Sequence, residues 1–376
     1  MKTEFGIYIH WPFCLAKCHY CDFNSYPVAS GFQARYLEAL LLEINGIHLD
    51  QRVTSIYFGG GTPTVFPPRE LNKVLEACAR RFSLAADCEI SVEANPDTLN
   101  PGVLRDLLAG GFNRLTLGIQ SFDDRYLKML GRTYGRERIP EVLRWVEEVS
   151  WPNVGIDLIY NLPGQDLAHW EGTLKEACRY DLDHLSCYSL QVEEGTPLAR
   201  WVQKGLVALP DEEIQRAMIY LTGDFLKAQG WDHYELANFA RQGRRGRHNL
   251  NYWHNGPYLG FGAGAHSFYQ RRRWSNLAHP REYIDGLATG NIVAEEYLLG
   301  RDEEMDDTAF LGLRLLEGID LDRFKQRFGV DFSELYRLPL DSLSPLGLIE
   351  ETATHVRLTR QALPIANQVF AAFIRG

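Results

Sequence analysis

The chain has 376 residues, 45% hydrophobic and 23% charged, an ordinary globular make-up with room for a large core and one to three domains. Acidic residues outnumber basic ones by 49 to 39, and the formal charge of -10 opposes non-specific attraction to nucleic acid or anionic lipid, so no nucleic-acid partner is expected. No run approaches the roughly 18 apolar residues of a membrane span, and the N-terminal MKTEFGIYIHWPF is interrupted by His10 and Pro12, so it reads as a first strand rather than a signal peptide.

In chain order, strand-like runs occur at FGIYIHW (5–11), SIYFGG (55–60), EISVEA (89–94), RLTLGIQ (114–120), VGIDLIY (154–160) and HLSCYSLQ (184–191). Segments of helical periodicity separate them, among them ARYLEALLLEI, RELNKVLEACARRF, PEVLRWVEEV and HWEGTLKEACRY. Strand and helix in alternation predict βαβ units, hence an α/β fold whose parallel sheet curls into a barrel two units short of the full eight.

A helix at 211–229 follows. The texture then turns aromatic, glycine-rich and basic through YELANFARQGRRGRHNLNYWHNGPYLGFGAGAHSF. From about residue 300 two helical segments, DTAFLGLRLLEG and LDRFKQRFG, precede a strand THVRLT and a last helix LPIANQVFAAFI, the pattern of a small helical, winged-helix-like module. Such modules often bind DNA, but in an acidic chain packing or lid duty is the expectation. The predicted division is 1–240 for the partial (β/α)6 barrel, 241–300 for a connecting segment, and 301–376 for the C-terminal module.

Sites of such sheets lie where the strands end. After the first strand come Cys14, Cys18 and Cys21, in CLAKCHYC; after the second, GGGTP; after the third, EANP; after the fourth, IQSF; and Asp157 lies within the fifth. Three thiolates on one loop can hold three irons of a [4Fe–4S] cube and leave the fourth open to a ligand that is not protein. A zinc site recruiting His10 or His19 is the alternative, and reactive thiols a third. The other cysteines, Cys78, Cys88, Cys178 and Cys187, sit in apolar contexts and read as small core residues, which places the chain in a reducing cytoplasm.

CxxxCxxC after one strand and GGGTP after the next resemble the radical S-adenosylmethionine superfamily. The remaining motifs resemble its branch of oxygen-independent coproporphyrinogen III oxidases and their relatives, over essentially the whole chain. The resemblance implies a radical-type partial barrel, a [4Fe–4S] cluster on Cys14, Cys18 and Cys21, and S-adenosylmethionine bound by Tyr8, Tyr20, Gly60, Gly61, Thr62, Glu93, Gln120, Arg132 and Asp157. Read singly, each has a structural alternative: a tight βα turn for the glycines, or a satisfied polar group in a strand for the carboxylates.

The branch holds porphyrinogen oxidases and haem chaperones. The oxidases typically extend the motif to CxxxCxxCxC, where this chain has Phe23, and only about 13 residues precede Cys14, fewer than the extension that helps close the oxidase site. HNLNYW (248–253) matches the HNxxYW motif of the chaperones. Imidazole is an ordinary axial ligand of haem iron, so His248 is the expected haem ligand, with His254 and His266 as competitors. Tyr252 and Trp253 offer aromatic faces, and Arg241, Arg244, Arg245 and Arg247 a basic run for propionates. A structural histidine and a solvated arginine loop are the plainer alternatives.

The expectation is therefore a haem-delivering protein that keeps a cluster and S-adenosylmethionine, with no catalytic residue assigned and oxidase activity not expected. A coproporphyrinogen oxidase and another radical enzyme remain alternatives. The family implies respiratory haem proteins as clients, with transient work at a membrane surface, and it allows a homodimer.

Overall fold

The structure, a computed structural model, describes residues 4–28 and 32–375. The six expected strands form as β1 (Gly6–Trp11), β2 (Arg52–Gly60), β3 (Ser83–Ala94), β4 (Arg114–Gln120), β5 (Val154–Tyr160) and β6 (His184–Ser189), all parallel and paired in that order. Between them run α1 (Phe32–Gly46), α2 (Pro68–Arg81), α3 (Pro101–Ala109), α4 (Asp124–Leu130), α5 (Arg138–Glu148) and α6 (Leu167–Ala177). Local chemistry sets several ends: Asn100 and Asp166 side chains accept backbone N–H bonds at the starts of α3 and α6, and Gly131 ends α4 in the left-handed region.

Parallel strands covered on both faces usually read as continuous apolar runs. Here they alternate. Register partners Ser55↔Glu89, Tyr57↔Ser91, Glu93↔Thr116, Gly118↔Asp157 and Asp157↔Ser186 put a polar set on one face. The positions between them, such as Ile56, Phe58, Val92, Leu115, Leu117, Ile156 and Leu185, are wholly buried in the main core. The apolar face holds the helices, and the polar face lines an interior.

After α7 (Pro197–Gln203) and α8 (Glu212–Ala228), β7 (Asp232–His233) and β8 (Asn238–Ala240) add antiparallel beyond β6. Next comes α9 (Arg247–Trp253). Then β9 (Tyr258–Phe261) joins β1 in parallel, and β10 (His266–Tyr269), β11 (Arg272–Asn276) and β12 (Val293–Leu298) follow antiparallel, with α10 (Pro280–Thr289) between the last two. The result is one open twelve-stranded sheet, β12-β11-β10-β9-β1-β2-β3-β4-β5-β6-β8-β7, whose edge strands do not pair with each other. Residues 241–300, expected to connect, supply α9 and a third of these strands.

The C-terminal module packs α11 (Arg301–Gly312), α12 (Leu321–Phe328), α13 (Phe332–Leu335), α14 (Arg337–Leu343) and α15 (Ala366–Ala371) on a small antiparallel sheet of β13 (Ile319–Asp320), β15 (His355–Leu358) and β14 (Ile349–Glu351). Phe324, Phe332, Tyr336, Val356, Phe370 and Phe373 form its separate core. The last expected helix is shorter than its apolar pattern, because Pro364 holds residues 360–365 in a 3-10 turn before α15 begins.

Candidate functional site

The cysteine loop folds back over the end of β1: Tyr26 N–H donates to Pro12 O (2.8 Å) and Val28 N–H to Cys14 O (2.9 Å). Cys14, Cys18 and Cys21 are unpaired and half-buried. Burial raises the Cys14 and Cys21 thiols, and Cys18 adds to both shifts, so the three lie within electrostatic reach of one another. Among the described residues no three His, Cys, Asp or Glu side chains converge on one metal ion. Thiols that each meet a different iron of a cube need no such convergence. Of the two candidate fourth ligands, His10 bonds Tyr8 OH and Asn24 O through its two nitrogens, and His19 Nδ1 bonds Met129 O while its ring packs on Trp201. Phe23, which stands where oxidases carry a further cysteine, is 66% exposed on the outside of the loop.

GGGTP clamps that loop. A Cβ on Gly61 would lie 2.5 Å from Phe13 O, because Gly61 N–H reaches Trp11 O and Thr62 N–H reaches Phe13 O. Gly60 has φ +107°, and its N–H donates to Glu93 Oε2 (3.2 Å). Thr62 precedes a short 3-10 turn but does not cap it; its hydroxyl donates to Cys14 Sγ (3.6 Å) and accepts from Asn95 Nδ2 (2.9 Å).

Arg132 lies just past the left-handed Gly131 that ends α4, buried at the rim. It donates to Cys18 Sγ (3.2 Å), Gly118 O (2.7 Å) and Asn95 Oδ1 (2.5 Å), and its Nε to Tyr134 OH (3.1 Å). Among the described residues no carboxylate forms an ion pair with it: its hydrogen bonds go to a thiol and neutral oxygens, and the Asp157 carboxyl feels its charge from further off. Tyr20 sits beside Arg132 and packs on the cluster of Tyr126 and Leu130. Gln120, buried, adopts φ +66° at the irregular end of β4.

Below the rim the polar strand face encloses a cavity lined by Tyr57, Glu93, Arg114, Asp157, His184 and His248 among others. Burial pushes Glu93 up to about 7 and Asp157 up to about 6. The two carboxylates raise one cost together, since Asp157 lifts Glu93 further, while Tyr57 OH donates to Glu93 Oε1 (2.7 Å). Tyr8 stacks on Tyr57 at 6.3 Å and bonds His10 through its hydroxyl. The expected cofactor residues thus occupy one rim and the chamber beneath it. Asn95, Tyr57 and Tyr134, which join them, were not singled out; the signal for Asn95 was its place in EANP, at the end of β3.

His248 lies elsewhere. It starts α9, which plugs the floor of the chamber, and Glu89 accepts the backbone N–H bonds of Arg247 and His248 there (3.1 Å each). The ring is 1% exposed, with Nδ1 on Ser55 Oγ (2.9 Å) and Nε2 on Tyr252 OH (2.8 Å), and it stacks on Tyr57 at 5.2 Å. Burial lowers its pKa to about 3, so it is a neutral ring with both nitrogens engaged. Tyr252 packs edge-on against Tyr258, and Arg314 covers Trp253. The basic run is likewise consumed: Arg244 pairs with Asp183, Arg245 with Asp232 and Glu317, Arg247 with Glu4 and Asp87, and Arg241 lies over Trp231. The expected propionate site is a set of internal ion pairs.

Residues 8–177 match the Radical SAM superfamily model, and residues 299–365 match the HemN C-terminal domain model. Strand order, thiol loop and rim define a radical S-adenosylmethionine protein. At 37% identity over 98% of both chains it is similar to heme chaperone HemW of Bacillus subtilis, and at 32% over 98% of this chain and 96% of the other to HemW of Lactococcus lactis. The chain belongs to the HemW heme chaperone family. Among solved structures, coproporphyrinogen III oxidase (HemN) from Escherichia coli shares the fold, with a TM-score of 0.85 at 24% identity over 99% of this chain and 90% of that one.

Proposed function

We propose that this protein binds haem and delivers it to haem proteins, carrying a [4Fe–4S] cluster on Cys14, Cys18 and Cys21 with S-adenosylmethionine at the open iron. The observation that carries the cofactor reading is Arg132: a buried cation hydrogen-bonded to Cys18 Sγ, in an ion pair with no carboxylate among the described residues, suits an anionic ligand beside the thiols. When bound, the cluster and S-adenosylmethionine supply one-electron chemistry. Thr62 and Arg132 steady Cys14 and Cys18 by hydrogen bonds, and Asn95 ties those two residues together. Glu93 and Asp157, whose pKa values burial raises, would accept from an ammonium group or ribose hydroxyls. Tyr8, Tyr20, Gly60, Gly61 and Gln120 complete the wall. Membership of a heme chaperone family carries the haem reading.

The reading extends to respiratory haem proteins as clients, met at a membrane surface, and to a homodimer. No helix among the described residues is long and apolar enough to cross a membrane. All seven cysteines are unpaired, in keeping with a reducing cytoplasm.

The test is anaerobic reconstitution, with iron counted and haem titrated by its Soret band, beside an assay for conversion of coproporphyrinogen to protoporphyrinogen. About four irons per chain are expected, as a cube requires, together with saturable haem binding, no oxidase product, and loss of the cluster in Cys18→Ser. Oxidase product without haem binding overturns the reading.

A further inference from the structure

Haem iron bonds one nitrogen of an imidazole, and the other nitrogen, which then carries the proton, is held by an acceptor that orients the ring and sets its basicity. His248 has both nitrogens occupied, Nδ1 by Ser55 Oγ (2.9 Å) and Nε2 by Tyr252 OH (2.8 Å). One of these bonds must open before the ring can take iron, and the two are not alike.

The Nδ1 edge is closed by the sheet. Ser55 is 1% exposed on β2, which pairs with β1 on one side and β3 on the other, at Gly6↔Ser55 and Ser55↔Glu89. A Cβ on Gly6 would lie 3.2 Å from His248 Cε1 and 3.3 Å from Nδ1, so the backbone of β1 lies directly against that edge of the ring. Iron at Nδ1 would require two hydrogen-bonded central strands to part.

The Nε2 edge is closed by one side chain. Tyr252 is half-buried, one turn along α9 from His248, with its ring edge-on to His248 (4.7 Å) and to Tyr258 (4.6 Å). Turning that side chain frees Nε2 and breaks no backbone bond. The helix itself is tied at both ends: Glu89 accepts the N–H bonds of Arg247 and His248, while Asn251 Nδ2 donates to Pro257 O (2.9 Å) and Asn251 O accepts from Gly256 N–H (2.8 Å). What yields is therefore the Tyr252 hydroxyl, with helix and strand in place.

We propose that Ser55 is the positioning residue of the haem-ligating imidazole: its Oγ accepts from Nδ1–H and leaves the Nε2 lone pair for iron, and the Tyr252 hydroxyl is the group that iron displaces. This rests on the haem-carrier reading above, with His248 of HNLNYW as the iron ligand. The exchange is one of ligands alone: the Nε2 lone pair bonds iron, the Tyr252 O–H gives up its hydrogen bond to the ring, and no proton or electron is transferred. It suits a protein that must give its haem up. When iron leaves, Tyr252 OH donates to Nε2 again, so the ring is satisfied and the empty site is stabilised against the loaded one.

The experiment titrates haem into the cluster-loaded wild type and into Ser55→Ala, Tyr252→Phe and His248→Ala, with the dissociation constant, the haem reduction potential and the melting temperature recorded for each. Ser55→Ala is expected to bind haem about tenfold more weakly, the scale of removing the outer partner of a metal ligand. Its haem potential is expected to rise, because an imidazole whose Nδ1–H has no acceptor is a weaker donor to ferric iron. Tyr252→Phe is expected to bind about fivefold more tightly, the scale of one competing hydrogen bond. Where a variant also loses stability the opposite signs decide, since lost packing weakens binding in both. Wild-type affinity and potential in Ser55→Ala, or binding no tighter than wild type in Tyr252→Phe, overturns the assignment and leaves the carrier reading standing. Undiminished haem binding by His248→Ala does the same. A wild type that binds no haem overturns both.

Discussion

Glu93 shows how one residue's environment outweighs its type. Its folded pKa of about 7 lies above the ordinary 4.5, so the ligand-free folded chain holds a proton that the unfolded chain releases across that interval. Its contribution to stability is complete below about 4.5 and is lost as pH rises through about 7. Glu93→Gln removes that dependence. Between pH 5 and 8 the wild type is expected to lose about 2 kcal/mol more than Glu93→Gln, on a scale of 1.36 kcal/mol per pKa unit. Denaturant unfolding of both proteins at the two pH values measures this; equal losses would refute the shift. The sequence marked Glu93 and Asp157 as polar groups within strands, and the resemblance added Arg132. It did not mark Tyr57 or Asn95, whose roles exist only through partners about 36 residues away.

At the scale of elements, GGGTP and HNLNYW were both read from sequence, and they fare differently. The glycines are demanded by the chain itself, since β2 must pass against the thiol loop. Gly61→Ala sets a Cβ against the immovable Phe13 O and is expected to cost about 1–3 kcal/mol and lower the iron retained on reconstitution. Gly172→Ala, on α6 with open space around it, serves as the control and is expected to leave both unchanged or to stabilise by about 1 kcal/mol. Equal behaviour of the two variants would remove the clamp. HNLNYW forms α9, but its imidazole points into the chamber floor, and the arginines before it are spent on Asp and Glu of other elements. A basic run reads as a ligand site only until its counter-ions are found.

The described residues form two large hydrophobic cores, one under the sheet and one in the C-terminal module, and a smaller one around Tyr126 and Leu162. Arg327 ties the C-terminal module to the end of α9: it donates to His254 O (3.2 Å), Asn255 O (3.0 Å) and Glu304 (2.7 Å). Arg327→Ala takes the donor from both carbonyls and leaves Glu304 with Arg271 (3.7 Å), and is expected to cost about 2 kcal/mol at the junction. Limited proteolysis should then cut near residues 299–300 faster than in the wild type, while the barrel keeps its cluster. Unaltered cleavage would show that the module is held by other contacts. The long sheet also carries its strand face out past the thiol loop through β9–β12.

The sequence by itself determined the six parallel strands, the three-thiol loop, the glycine clamp and the family. These depend on periodicity and spacing within a few tens of residues, which the backbone imposes locally. The tertiary structure alone decided that alternate strand positions enclose a charged chamber, that residues 241–300 extend the sheet, and that His248 is bonded on both nitrogens. Its partner Ser55 is 193 residues away, and the partner of Arg247, Asp87, is 160 away. Whether a side chain is free for a ligand depends on what the fold brings beside it, and pairings over such separations leave no local pattern to read.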